Sequence, residues 1–131
     1  MGFHFLGIDH VQLAVPQGGE DLARGFYVGV LGMVEEPKPP ALAARGGCWF
    51  RSPGLSLHVG VDPHFTPATK AHPALLIDDL SALTEVLGSH GIPFREDDEI
   101  HGLVRGYVHD PFGNRIEIIE HGGAAAAKPV P

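Results

Sequence analysis

Two histidines occupy matching places in two similar stretches of this chain. His10 follows Asp9 and opens the apolar run Val11-Gln12-Leu13-Ala14-Val15; His72 follows Ala71 and opens Pro73-Ala74-Leu75-Leu76-Ile77. A second pair follows at nearly the same spacing: His58 in Leu57-His58-Val59 and Glu117 in Ile116-Glu117-Ile118. Histidine and glutamate are metal-ligand types. A chain that repeats them at equivalent points of a repeated unit invites a metal site built from both copies. Two imidazoles and a carboxylate leave coordination positions open for substrate oxygens. The cofactor expected is therefore one divalent metal ion: Fe, Mn, Ni or Zn.

Each residue has a plainer reading beside that one. Glu117 sits between two isoleucines and could face solvent from an alternating strand. A lone strand histidine is more often structural than a ligand, and it is the match with His72 that favours a ligand role for His10. His72 precedes Pro73, which favours extended backbone. His58 stays open: a fourth ligand, a donor to a ligand, a substrate contact, or a strand histidine with no part at the metal. Arg45 and Arg51 either hold an anionic substrate group bidentately or stand as surface charges. Trp49 and Phe50 either line a pocket mouth or pack in the core, the core being preferred. Tyr107 either orients a substrate oxygen or packs half-buried. Arg51, Tyr107 and Phe50 are thus the candidate substrate contacts. His4, His64, His90, His101, His109 and His121 read as surface residues. Cys48 has no visible activating partner and reads as packing.

The elements that must carry these residues come in the same order twice. Residues 8–15 read as a strand stopped by Pro16. Leu22, Phe26, Tyr27, Val30 and Leu31 recur at helical spacing, with Gly32 as a stop and with Gly25 and Gly29 as local weak points. Residues 33–36 read as a short strand, 37–44 as a loop, and 47–51 and 55–61 as a hairpin about Ser52-Pro53-Gly54. After the loop 62–70 the order restarts. Residues 73–77 are a strand, and Asp78 or Asp79 caps a helix carrying Leu80, Leu83 and Leu87, ended by Gly88 or Gly91. Residues 92–95 are a short strand and Glu96-Asp97-Asp98-Glu99 a solvated acidic loop. Residues 104–109 and 115–120 are strands about the turn Asp110-Pro111-Phe112-Gly113-Asn114. The fold class expected is α+β, two βαβββ modules at about 7–62 and 70–120 in one domain over 1–121. Residues 122–131 are expected to be a disordered tail.

Composition narrows the function. The chain has 131 residues, 44% hydrophobic and 19% charged, enough for one domain with a real core. A formal net charge of −7 with only 9 Lys plus Arg argues against a nucleic-acid partner. No apolar run is long enough for a bilayer, and no basic start precedes an apolar stretch at the N-terminus. The single cysteine permits no internal disulfide, so a cytoplasmic setting is expected.

The repeat resembles the vicinal oxygen chelate superfamily, which includes glyoxalase I, fosfomycin-resistance thiol transferases, extradiol dioxygenases and bleomycin-resistance proteins. The residues behind the resemblance are Asp9-His10-Val11, Phe26-Tyr27 with Val30-Leu31-Gly32, and above all Asp110-Pro111-Phe112-Gly113-Asn114-Arg115-Ile116-Glu117. It covers about residues 7 to 120. It implies paired βαβββ modules curled into a half-barrel, with ligands on the first and last strands of each module. By position those are His10, His72 and Glu117, with His58 as a fourth candidate and Glu117 also the candidate catalytic residue. Fosfomycin-resistance and dioxygenase members use two His and one Glu. Glyoxalase I has Glu where this chain has His58, which points away from that activity. The function implied is a metal-dependent enzyme that chelates a small substrate through oxygens, by isomerase, lyase, thiol-transferase or dioxygenase chemistry. The alternative is a metal-free small-molecule binder like the bleomycin-resistance branch. Members often dimerise, so a small-molecule substrate and a homodimer are the partners expected.

Overall fold

The computed structural model describes residues 2–122 of the chain. The tail expected to be disordered lies, apart from Gly122, outside the described residues. The architecture is α+β, with two four-stranded mixed sheets. The chain divides into two compact units, with the boundary between Phe65 and Thr66, inside the loop assigned from sequence as the connector. Among the described residues no helix is long and apolar enough to cross a membrane.

The first unit holds β1 (Val11–Val15), α1 (Glu20–Arg24) running into a π-helical turn (Gly25–Val30), β2 (Val34–Glu36), α2 (Pro40–Ala43), β3 (Cys48–Ser52) and β4 (Leu55–Val61). Its sheet order is β1-β4-β3-β2. β1 runs parallel to β4, Val11 opposite Leu57, while β3 is antiparallel to both β4 and β2. Alternation sorts the side chains. Cys48, Phe50, Leu57 and Val59 are buried with Ala23, Phe26 and Tyr27. Trp49, Arg51 and His58 are left to the opposite face.

The second unit holds β5 (Ala74–Ile77), α3 (Leu80–Ser89), β6 (Arg95–Asp97), β7 (Arg105–His109) and β8 (Arg115–Glu120). Its order, β5-β8-β7-β6, repeats the first: the opening strand lies parallel to the closing one. Leu80, Leu87, Val108, Ile116 and Ile118 form its core. Asp79 caps α3, its carboxylate accepting from the Ala82 amide at 3.0 Å. The Ile92 amide closes the helix on the Leu87 carbonyl beyond Gly91, whose φ is +69°.

Several details depart from the sequence reading. Ladder pairing of β1 begins only at Val11, so His10 stands on the lead-in rather than within the strand. His72 likewise precedes β5, because Pro73 has no N–H for a ladder. The first helix changes pitch: the Leu31 amide bonds to the Phe26 carbonyl, five residues back, at 2.9 Å. Leu22 is therefore exposed while Ala23, Phe26 and Tyr27 are buried. In the second unit, β6 takes in Glu96 and Asp97 of the expected acidic loop, where Arg95 faces Tyr107 and Asp97 faces Arg105 across the strand pair. The short α2, with Pro40 in its first turn, lies inside the expected loop 37–44.

Candidate metal and ligand sites

The Asp110–Asn114 turn sets the register of the second unit's site. Asp110 Oδ1 accepts from the amides of Phe112 and Asn114, both at 2.9 Å, and Asn114 Nδ2 donates to Asp110 Oδ2 at 2.8 Å. Gly113 supplies the positive φ of +90° that the turn requires. With the turn closed, His109 pairs with Arg115, Tyr107 with Glu117 and Arg105 with Ile119. On the other side of β8, Glu117 pairs with Ala74, and its amide donates to the Pro73 carbonyl at 3.0 Å. That contact brings the lead-in of β5, and His72 with it, to Glu117.

His72 Nε2 lies 3.0 Å from Glu117 Oε1. His72 Nδ1 lies 2.8 Å from the Lys70 carbonyl oxygen. Both ring nitrogens therefore face acceptors. With Nδ1–H donating to a carbonyl, Nε2 has the lone pair that binds metals, and an oxygen ligand stands beside it. Imidazole nitrogen and carboxylate oxygen are donor types that divalent first-row metals take, and two such donors meet here.

The other carboxylate oxygen is held by a residue the sequence reading did not single out. Arg105 Nη1 donates to Glu117 Oε2 at 2.8 Å and to the Tyr107 hydroxyl at 3.0 Å, and Arg105 Nη2 lies 3.2 Å from Asp97 Oδ2. Arg105 and Glu117 are each only 9% exposed. Burial pushes the Glu117 carboxyl up, but hydrogen bonds from Arg105 and His72 outweigh it and hold the group below the usual carboxylate value. Glu117 is thus kept anionic, as a ligand must be. The signal for Arg105 was available: once the turn pairs Tyr107 with Glu117, alternation puts Arg105 on the same face.

In the first unit the sheet builds a column of rings. His58 stacks on His10, with ring centroids 4.1 Å apart and planes at 19°, and on Trp49, at 4.4 Å and 10°. β3 and β4 set half of this, since Trp49 and His58 are register partners. His10 Nδ1 is 2.9 Å from Asp9 Oδ2. Burial lowers the pKa of His58, and neighbouring His10 lowers it further. The column lines a cavity of about 600 Å³ whose wall also includes Lys38, Arg45 and Arg51. Arg51 Nε is paired to Glu36 Oε1 at 2.9 Å. Phe50, considered from sequence as a substrate contact, is fully buried and stacks on Tyr27, so it is a core side chain. Tyr107 is 7% exposed. Cys48 is buried, as packing requires.

The candidate ligands therefore meet in pairs, His72 with Glu117 in one unit and His10 with His58 in the other. Among the described residues no group of three or more His, Cys, Asp or Glu is placed to hold a metal ion.

Comparison with known proteins gives the wider setting. Residues 7–118 match the family model of the Glyoxalase/Bleomycin resistance protein/Dioxygenase superfamily. A glyoxalase family protein from Bacillus anthracis is 44% identical, with a TM-score of 0.89, over 93% of this chain and 100% of that one. The fosfomycin resistance protein FosX from Listeria monocytogenes, in a mutant form complexed with Mn(II) and 1S,2S-dihydroxypropylphosphonic acid, is 18% identical. Its TM-score is 0.73, over 91% of this chain and 95% of that one. A lactoylglutathione lyase from Agrobacterium tumefaciens is 20% identical, with a TM-score of 0.64, over 85% and 92%. No curated protein matches the chain. With its two βαβββ units and nearly all its described residues under that family model, the chain belongs to the Glyoxalase/Bleomycin resistance protein/Dioxygenase superfamily.

Proposed function

We propose that this chain is a metal-dependent enzyme acting on a small substrate bound through oxygens. The observation that carries the reading is the His72 ring between two acceptors, the Lys70 carbonyl and Glu117 Oε1. A divalent cation at Nε2 would satisfy both the ring lone pair and the carboxylate. His72 and Glu117 are the two ligands that the second unit supplies. The Mn(II) in the FosX complex supports a metal of that class.

When bound, the metal supplies Lewis-acid stabilisation of charge on a substrate oxygen. The chain's own residues do the rest. Arg105 holds Glu117 anionic and aims Oε1 at His72, and the Lys70 carbonyl fixes the His72 ring. A carboxylate held below its usual pKa is a poor proton carrier near neutral pH, so Glu117 serves as ligand rather than base. His58, stacked on His10, orients that ring.

Calorimetric titration of chelator-stripped protein with Mn, Fe, Ni and Zn tests the reading. One equivalent of at least one metal per chain is expected, lost in Glu117→Gln. Protein that takes up none of the four is not this enzyme, and a metal-free binder would then be the better description.

A further inference from the structure

We propose that the cavity of the first unit binds an organic anion bearing a flat unsaturated group, an aryl carboxylate or aryl phosphonate being the type. The reading stands on that unit's geometry and goes beyond the metal proposal without requiring it.

The first argument is shape. His10, His58 and Trp49 form a column of three near-parallel rings on the cavity wall. The His10 side chain, at one end of the column, is 38% exposed. A flat π-system continues such a column in offset stacking, and a bulky aliphatic group does not.

The second argument is charge. The chain is acidic, yet three of its nine Lys and Arg residues line this one cavity. Two are already engaged: Arg51 is paired with Glu36, and Lys38 donates to the Gly46 carbonyl. Asp9, the cavity's other carboxylate, is taken by His10. Arg45 is exposed and has no ion-pair partner among the described residues. A guanidinium free to present its planar fork beside a ring column suits a carboxylate or phosphonate.

Trp49 is the only tryptophan, so its fluorescence reports on this cavity alone. The experiment titrates the full chain, in chelator, with phenylphosphonate, with methylphosphonate (charge without ring) and with benzyl alcohol (ring without charge). Phenylphosphonate is expected to change the emission saturably with a Kd of about 1 mM or tighter. Each control is expected to bind at least about tenfold more weakly. Arg45→Ala, at an exposed position, is expected to weaken phenylphosphonate about tenfold. The proposal is overturned if phenylphosphonate gives no saturable change, if either control binds as well, or if Arg45→Ala binds like the wild type. Because chelator is present throughout, each outcome holds whether or not the metal reading survives.

Discussion

Arg105 reaches Glu117 diagonally. In the β7–β8 register it stands opposite Ile119, two pairs away from Glu117, yet its Nη1 lies 2.8 Å from Glu117 Oε2. The diagonal contact occupies one carboxylate oxygen and leaves the other, Oε1, facing His72. A buried guanidinium in this place therefore decides which oxygen is available to a cation.

Removing that guanidinium leaves Glu117 and Asp97 without their shared cation. Arg105→Met is expected to cost about 3 kcal/mol in the metal-free protein, since breaking a buried pair strands a charge. Urea unfolding measures it. The same variant is expected to bind Mn(II) roughly 10- to 100-fold more weakly, as loss of a ligand's supporting partner usually does. Unchanged affinity by calorimetry would show that Arg105 has no part in aiming Glu117.

His58 gives a pH dependence with a definite sign. Its folded-state pKa is depressed below the ordinary 6.5, first by burial and then by His10. The neutral ring is the form the folded state prefers. Its stabilisation is therefore complete above the ordinary value and is lost as pH falls through the folded-state value. The urea midpoint of the wild type is expected to fall faster between neutral and mildly acid pH than that of His58→Gln. Parallel pH curves for the two proteins would remove His58 as the cause.

Gly47 opens the approach to β3 with a φ of +85°, and a Cβ there would overlap the Val59 carbonyl oxygen. The obstruction is backbone of the neighbouring strand, not a side chain that can turn away. Gly47→Ala is expected to destabilise the protein by at least about 2 kcal/mol, combining steric overlap with left-handed strain. Thermal melting provides the check. Gly54→Ala, where a Cβ meets nothing within 4 Å, is the matched control and is expected to change little.

Cys48 is 1% exposed, and burial pushes its thiol pKa up to about 11. A neutral, covered thiol is a poor nucleophile. Ellman's reagent at neutral pH is expected to leave the native protein unmodified and to label one thiol per chain in urea. Rapid labelling of native protein would mean that the β3–β4 sheet opens readily.

Much of the fold was legible in the sequence because it rests on local chemistry. The Asp110–Asn114 turn declared itself by residue types that can close it, and from it the Tyr107–Glu117 pairing follows. Asp78 or Asp79 and Gly88 or Gly91 marked the ends of α3 by the same logic, and Asp79 and Gly91 take those places. Less was legible where packing overrides propensity. The π-helical turn depends on how Phe26 and Tyr27 both reach the core, and helical spacing alone assigned Leu22 to the buried side. The acidic residues Glu96 and Asp97 read as loop because a run of four acidic residues carries no strand pattern; Asp97 joins β6 through its pairing with Arg105 on β7. For the site, the ligand types were visible at their repeated positions. The oxygen-by-oxygen division of Glu117 between His72 and Arg105 was not, since it arises from a diagonal contact between strands.

The parallel pairing of opening and closing strands has a consequence for how each unit comes to exist. Val11 meets Leu57 and Ala74 meets Glu117 only after every intervening residue of the unit has been laid down. Such contacts carry the largest loop-closure entropy in their units. His10 with His58, and His72 with Glu117, straddle those same junctions. Neither pair can form in an isolated hairpin or in a nascent chain that stops short of the closing strand. The juxtaposition of each pair thus depends on the whole unit, from its opening strand to its closing one.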